Sequence, residues 1–458
     1  MADAADRDAP PSLYGLTPRL MAAIGDALAA GQDSHVRAFV RPLHPSDLAD
    51  VIERLDEEDR HKLIAAIGDD FDPECLTWLE DTVREAVMEQ LGMARVAEAV
   101  AELDSDDAVE ILESLDEREQ REVLRQIPAE DRAVLEQGLT YPEDSAGRLM
   151  QRELVAVPPH WTVGQTIDHM RSEVELPEHF FDIFVIDPRH KVIGVIPVSR
   201  LLRTKRPVRV TDIMIRDFRR IPATADREEV ARMFQQYGLV SAPVVEEDGR
   251  LVGAITVDDV VQVIDEEAEE DLMRLARVGE THVNAPIGET ALSRIRWLLI
   301  TLVNTLIAST VIAQFEATIE RIVALAVLMP IVAAMGGNAG MQVVTVVVRA
   351  LATKELNASN FRRIVAKEIA VGVLNGLVFA SILGTVAAVW FEDARIGLVL
   401  AAAMIFNMMW AGLAGAIIPM AIQRLRIDPA VGAGPFLTTT TDVLGFFSFL
   451  GLASLFLL

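Results

Sequence analysis

Three kinds of hydrophobic pattern divide this chain. From about residue 31 to Leu139, apolar positions recur at three- and four-residue spacing and predict amphipathic helices. From Met150 to about residue 266, short β-branched runs predict strands alternating with helices. Beyond residue 294 come five apolar segments, 297–315, 322–348, 369–390, 396–422 and 435–458. Each approaches the roughly 20 apolar residues needed to cross a bilayer. The chain up to about residue 30, with Ala, Asp and Pro at the front, predicts a loosely ordered start.

Two internal repeats refine this division. Asp47-Leu-Ala-Asp-Val-Ile-Glu-Arg-Leu55 returns at an offset of 60 as Asp107-Ala-Val-Glu-Ile-Leu-Glu-Ser-Leu115, each followed by Asp-Glu and a further amphipathic helix. That predicts stacked helix pairs. Phe184-Val-Ile-Asp-Pro-Arg-His-Lys-Val-Ile-Gly-Val-Ile-Pro-Val198 returns at an offset of 59 as Pro243-Val-Val-Glu-Glu-Asp-Gly-Arg-Leu-Val-Gly-Ala-Ile-Thr-Val257. Each copy reads as strand, polar turn, strand around a glycine, then helix start, and a helix over Asp226 to Gln236 precedes the second. This duplication resembles a tandem of CBS domains, α/β modules that sense ligands and often bind adenine nucleotides.

Charge separates the halves further. The stretch 295–458 holds 10 Lys+Arg against 8 Asp+Glu, a net of +2, which leaves 32 against 61, a net of −29, for 1–294. So acidic a half argues against nucleic-acid binding. It suits weak sites for a hard divalent cation, and equally a solvated, solubilising surface. The run Asp265-Glu-Glu-Ala-Glu-Glu-Asp271 holds six acids in seven residues. Like charges alone discourage a helix there; a divalent counter-ion would relieve the repulsion, and a solvated connector is the other reading. Cys75 is the single cysteine, so neither a disulfide framework nor a cysteine metal site is expected. The N-terminus lacks the apolar core of a signal peptide.

Basic residues set the expected topology. Arg294 and Arg296, then Arg349, Lys354, Arg362, Arg363 and Lys367, then Arg424 and Arg426 all fall on one side of the five segments. The N-terminal regions are therefore expected in the cytoplasm and the C-terminus outside.

Two polar features interrupt the apolar half. Gly336-Gly-Asn-Ala-Gly340, with Gln342 just after, permits close helix packing, the commoner explanation, or an opened backbone, and Asn338 and Gln342 on the same helix shift the weight towards a polar lining. In the last segment, Thr438 to Thr441 precede Asp442, seven residues after Pro435. A carboxylate at that depth either snorkels to the interface or meets water, a cation or a partner.

Taken together, Tyr141-Pro-Glu-Asp-Ser-Ala-Gly-Arg-Leu-Met150, Gly336-Gly-Asn-Ala-Gly340, Arg349-Ala-Leu-Ala-Thr353, Asp428-Pro-Ala430 and Thr441-Asp-Val443 resemble the MgtE family of magnesium channels. The implied fold is a multidomain membrane protein with an all-α helical-repeat N domain (31–145), tandem α/β CBS domains (146–266), an acidic connecting helix (267–294) and a pore domain of five membrane helices (295–458). The resemblance implies a homodimer in the inner (plasma) membrane, with the pore on its two-fold axis. Asp442 would hold a hydrated Mg2+, assisted by Thr438 and Thr441, with Asn338 and Gln342 along the passage. Gly434, Pro435 and Asp428 would form the gate and its mouth. Asp226, Glu228, Asp259, Glu267, Glu270, Asp271 and Asp428 would bind sensor Mg2+ and close the pore. An adenine nucleotide such as ATP is a further implied ligand of the CBS pair. Gly434, Gln262, Gly238 and Met341 depart from the family pattern. A competing reading is a carrier of another divalent cation or solute, coupled to protons through Asp442, with nucleotide sensing by the CBS pair. An enzyme is not expected: the membrane half holds no His, no Cys and no paired carboxylates.

Overall fold

The computed structural model describes residues 16–172, 176–177, 179–276, 287–356 and 359–458. The chain divides into two compact units, Met1–Glu267 and Ala268–Leu458.

The first unit opens with helices α1 (Pro18–Ala29), α2 (Asp33–Val40), α3 (Pro45–Arg54), α4 (Glu57–Ile67), α5 (Asp81–Leu91), α6 (Met93–Glu102), α7 (Ser105–Ser114), α8 (Glu117–Gln126) and α9 (Ala129–Gly138). The expectation of a loose start to about residue 30 is corrected by α1. Thr17 caps it, accepting from Leu20 N at 3.2 Å, Pro18 takes the first turn, and Ile24, Ala27 and Leu28 are buried. Residues 1–15 lie outside the described residues.

The repeat at offset 60 is structural. α3 buries Leu48, Val51 and Ile52, and α7 buries the matching Ala108, Ile111 and Leu112. Each helix ends at a leucine in extended conformation, Leu55 or Leu115, and the aspartate that follows caps the next helix. Asp56 accepts from Asp59 N at 2.9 Å, and Asp116 from Glu119 N at 2.8 Å. Their apolar faces share one core.

Two three-stranded sheets follow, β1 (Ala156–Val157), β2 (Asp182–Ile186) and β3 (Val192–Pro197), then β4 (Ile221–Pro222), β5 (Ser241–Val245) and β6 (Leu251–Thr256). In each, the first strand is parallel to the second and the third antiparallel to it. Register repeats at the sequence offset: Asp182 faces Pro197 as Ser241 faces Thr256, and both hairpins shift register at the matching step. The internal glycines explain themselves. A Cβ on Gly194 would lie 2.5 Å from Met214 Sδ, and one on Gly253 would lie 2.6 Å from Met150 Sδ. Around the sheets lie α10 (Val163–Ser172), α11 (Val198–Leu202), α12 (Val210–Ile213) and α13 (Arg227–Tyr237).

Next, α14 (Val257–Ala276) runs through the acidic stretch as one helix. Like charges were expected to discourage it. Arginines supply the compensation: Arg227 Nε lies 2.8 Å from Glu267 and its Nη1 3.2 Å from Glu266, while Arg274 pairs with Glu270. The connecting region expected over 267–294 falls partly on residues 277–286, outside the described residues.

The second unit continues with α15 (Ile287–Ala313), short α16 (Glu316–Arg321), α17 (Ala324–Ala352), α18 (Phe361–Trp390), α19 (Ala394–Arg424) and α20 (Pro429–Phe456). Among the described residues, five helices are long and apolar enough to cross a membrane, within α15, α17, α18, α19 and α20. Small residues bring α18 onto α19: a Cβ on Gly412 would lie 2.5 Å from Glu368 O, and one on Gly372 would lie 2.6 Å from Met408 O.

Candidate functional site

Helix α20 carries the central group. The sequence placed its apolar segment from Pro435, but the helix begins six residues earlier, where Asp428 caps it by accepting from Ala430 N at 2.8 Å. Pro435 is therefore interior, which long membrane helices tolerate when neighbours satisfy the freed backbone. Beside the proline, Asn304 Nδ2 on α15 donates to Pro435 O at 3.3 Å and fastens α15 to α20. Asp442 is consequently the fourteenth of 28 residues, about 20 Å from the start of the helix at 1.5 Å per residue. Snorkelling over that span exceeds the reach of an aspartate side chain. The carboxylate is partly exposed, and no side chain or backbone group pairs with it among the described residues.

The threonines before it turn their hydroxyls onto the helix backbone. Thr438 donates to Gly434 O at 2.9 Å and Thr439 to Pro435 O at 2.8 Å. Thr441, expected beside the ion, is fully buried and donates to Leu437 O at 3.0 Å. It belongs to the helix-packing face. Gly434 and Pro435 are also buried within the chain.

The glycine motif of α17 lies in unbroken helix, and Gly336 and Gly340 serve its packing. Gly340 meets Leu437 of α20, with 2.8 Å from a would-be Cβ to Leu437 Cδ1. Gly336 meets Asn407 of α19, which the sequence reading missed. Asn407 is fully buried, and its Nδ2 donates to Val332 O at 2.8 Å. A Cβ on Gly336 would lie 2.2 Å from that Nδ2, and one on Gly445 2.9 Å from it. One amide thus joins α17, α19 and α20 where two glycines leave room. Its only sequence signal is being the lone asparagine of the fourth apolar segment. Asn338 is exposed, whereas Gln342 borders a cleft shared with α18.

The expected sensor residues are scattered. Asp226 caps α13, accepting from Glu228 N at 2.9 Å, and Glu228 pairs with Arg232 at 3.2 Å. Gly238 ends that helix at φ +60, a left-handed position that suits glycine. Glu267 and Glu270 meet the arginines named above, Gln262 donates to Glu266 at 3.1 Å, and Asp271 is exposed. Asp428 Oδ2 lies 3.1 Å from Arg274 Nη1.

Asp259 keeps more telling company. It accepts from Thr256 Oγ1 at 2.8 Å at the start of α14. Its neighbours Asp106 and Asp107 come from α7 of the N domain, again missed in the sequence. Burial, then the Asp259 and Asp107 carboxylates, push Asp106 well above the usual carboxylate range. Burial and Asp259 raise Asp107 to about 7, and burial with Asp258 raises Asp259 to about 6. Asp106 Oδ1 is closed off from water and has no hydrogen-bond partner among the described residues. Nearby, Ser105 Oγ donates to Glu153 at 2.8 Å and Arg148 meets Glu113 at 3.2 Å, tying α7 to the segment between α9 and β1. Among the described residues, no three His, Cys, Asp or Glu side chains form a metal cage. An orphaned carboxylate oxygen among like charges nevertheless has the chemistry of a hard-cation ligand.

Helical repeats, a CBS pair and five membrane-length helices around an unpaired carboxylate define a multidomain α-helical membrane protein of the transporter class. A family profile described as "Divalent cation transporter" matches residues 329–452, one described as "MgtE intracellular N domain" matches 43–144, and that of the CBS domain matches 146–206 and 210–266. The chain is 32% identical over 446 residues to the magnesium transporter MgtE of Thermus thermophilus, covering 96% of this chain and 99% of that one. It is 30% identical over 428 residues to that of Bacillus subtilis, covering 93% and 95%. The crystal structure of the cytosolic domain of the Mg2+ channel MgtE in complex with ATP aligns with a TM-score of 0.50 at 30% identity, covering 53% of this chain and 99% of that one. The chain belongs to the MgtE family of magnesium transporters.

Proposed function

We propose that two copies of this chain form a Mg2+ channel that admits the ion across the plasma membrane and closes when Mg2+ is abundant on the side of the first unit. The observation that carries this reading is Asp442, half-way along a membrane helix and without a partner. An unpaired carboxylate there is costly unless it meets water or a cation. Mg2+ sheds its waters reluctantly and binds through one or two carboxylates. Two Asp442 side chains across a two-fold axis, with Thr438 beside them, supply that arrangement; Gly434, Pro435 and Asp428 lie towards the mouth, and Asn338 towards the passage.

For sensing, Asp106, Asp107 and Asp259 would hold Mg2+ between the N domain and the CBS pair, and Asp226 and Glu228 would add ligands at the start of α13. Glu267, Glu270, Asp271 and Asp428 would add ligands along and beside α14. Closure requires the closed state to bind more ions than the open one. Packed acids that repel each other when empty meet that requirement. The likeness to the ATP complex supports an adenine nucleotide at the CBS pair. The residues present fit its phosphates: ten Lys and Arg stand against two Asp between 189 and 220, and Arg203, Lys205 and Arg209 among them are exposed.

The test is Mg2+ uptake into liposomes holding the purified protein, with Mg2+ varied on the sensor side. Uptake that persists without a proton gradient and falls as sensor-side Mg2+ rises supports the channel. Uptake that stops when the proton gradient is collapsed supports the proton-coupled carrier instead.

A further inference from the structure

A cleft of about 260 Å³ opens between α17 and α18 over α19, separate from the Asp442 face. Gly372 and Gly412 at its floor carry no side chains, which leaves the space open. Four polar side chains line it: Gln342, Lys367, Glu368 and Asn375. Glu368 is only 8% exposed, and its one ionic neighbour among the described residues is Lys367 Nζ, 3.5 Å away and itself well exposed at the rim. The Gln342 and Asn375 amides make no hydrogen bond among the described residues. Val346 and Val371 add exposed apolar wall on either side.

Lys367 lies six residues into α18, about 9 Å from its start. That is headgroup depth for a helix long enough to cross the bilayer. A buried carboxylate at such a depth, with the unpartnered Gln342 amide about a turn deeper, calls for a ligand with donors. A bare cation is disfavoured by Lys367 beside the carboxylate, and a bare anion by the carboxylate itself. A group carrying both charges satisfies both.

We propose that this cleft binds the headgroup of a zwitterionic phospholipid bearing a primary ammonium, of the ethanolamine class. Its N–H donors match the Glu368 carboxylate and Gln342 Oε1, whereas Asn375, about two helical turns beyond Glu368, lies deeper in the cleft. Its phosphate meets Lys367 at the rim, and an acyl chain runs along Val346 and Val371. A choline headgroup has no N–H to give and loses the recognition.

The test uses full-length protein, stripped of lipid in detergent. Phosphatidylethanolamine and phosphatidylcholine with the same acyl chains are added separately, and bound lipid is counted by native mass spectrometry. Wild-type protein is expected to bind the ethanolamine lipid at least tenfold more tightly. Glu368→Gln should bring that ratio close to one. Should that variant fail to fold, Gln342→Leu should lower the ratio several-fold. Equal binding of the two lipids by wild type overturns the proposal, as does an unchanged ratio in a folded Glu368→Gln or Gln342→Leu protein. Water-soluble glycerophosphoethanolamine is the third probe: weak competition supports a lipid, and displacement at equal concentration overturns it in favour of a free small molecule. Displacement of the ethanolamine lipid by millimolar Mg2+ would make the cleft a cation site and overturn the proposal too.

Discussion

Arg274 on α14 holds Asp428 at the cap of α20, Nη1 to Oδ2, at 3.1 Å, and pairs with Glu270 on its own helix as well. One guanidinium therefore joins the acidic helix to the start of the helix that carries Asp442. Both side chains are more than a third exposed, so the pair is worth at most about 1 kcal/mol.

Arg274→Glu should therefore loosen closure only moderately, raising the Mg2+ concentration that halves flux by about fivefold or less. Flux titrations on wild type and the variant check this; equal thresholds would mean that the contact plays no part in gating.

Asp442→Asn should abolish Mg2+ flux while the protein still inserts and compacts with Mg2+. At 4 Å a unit charge pair is worth about 4 kcal/mol at an effective dielectric near 20. Even a third of that loss lowers flux about tenfold, and a dimer loses two charges. Asp442→Glu should keep part of the flux. Wild-type uptake by the Asn variant would leave Asp442 without a role in conduction.

The packed acids predict a pH dependence. Asp107 and Asp259 titrate above their unfolded values in the folded unit. Their protonated forms thus favour folding, fully below about pH 4, and this contribution is lost as pH rises through 6 to 7. Without divalent ions, the melting temperature of residues 16–267 should fall between pH 5 and pH 8, and saturating Mg2+ should flatten or reverse the trend. Asp106→Asn should raise the melting temperature in Mg2+-free buffer and reduce the gain from Mg2+. A Mg2+ gain untouched by that substitution would move the ion elsewhere.

Gly336→Ala should sharply lower the yield of folded protein, because its Cβ would collide with the Asn407 amide. Gly337→Ala, one residue on, faces open space and should be tolerated. Size-exclusion profiles in detergent separate the two. Equal behaviour would mean that Asn407 moves aside at little cost.

Topology has its own check. A reporter after Leu458 should face outside and one between α17 and α18 the cytoplasm. Both on one side would break the expected alternation.

Repeats carried most of the legible fold. The offsets of 60 and 59 survive as matching helix caps, buried faces and strand register, because each copy solves the same local problem. The depth of Asp442 was hidden, since proline reads as a helix boundary, whereas α20 begins six residues before Pro435. Asn407 and Glu368 were overlooked for a related reason: a hydropathy window averages a single polar residue away. Asp106 and Asp259 come together from distant parts of the chain, and nothing local to either marks the encounter. The acidic run was legible as charge, but the arginines that neutralise it come from elsewhere in the fold or a later turn of the same helix.

The mid-helix position of Asp442 has an electrical consequence. An ion held there would have traversed about half of the transmembrane voltage. Moving one elementary charge through 100 mV is worth about 2.3 kcal/mol, so a divalent ion over half the drop gains a similar amount. Occupancy of that carboxylate would then shift roughly fortyfold per 100 mV, making the resting potential of the cell a force on the ion alongside its concentration.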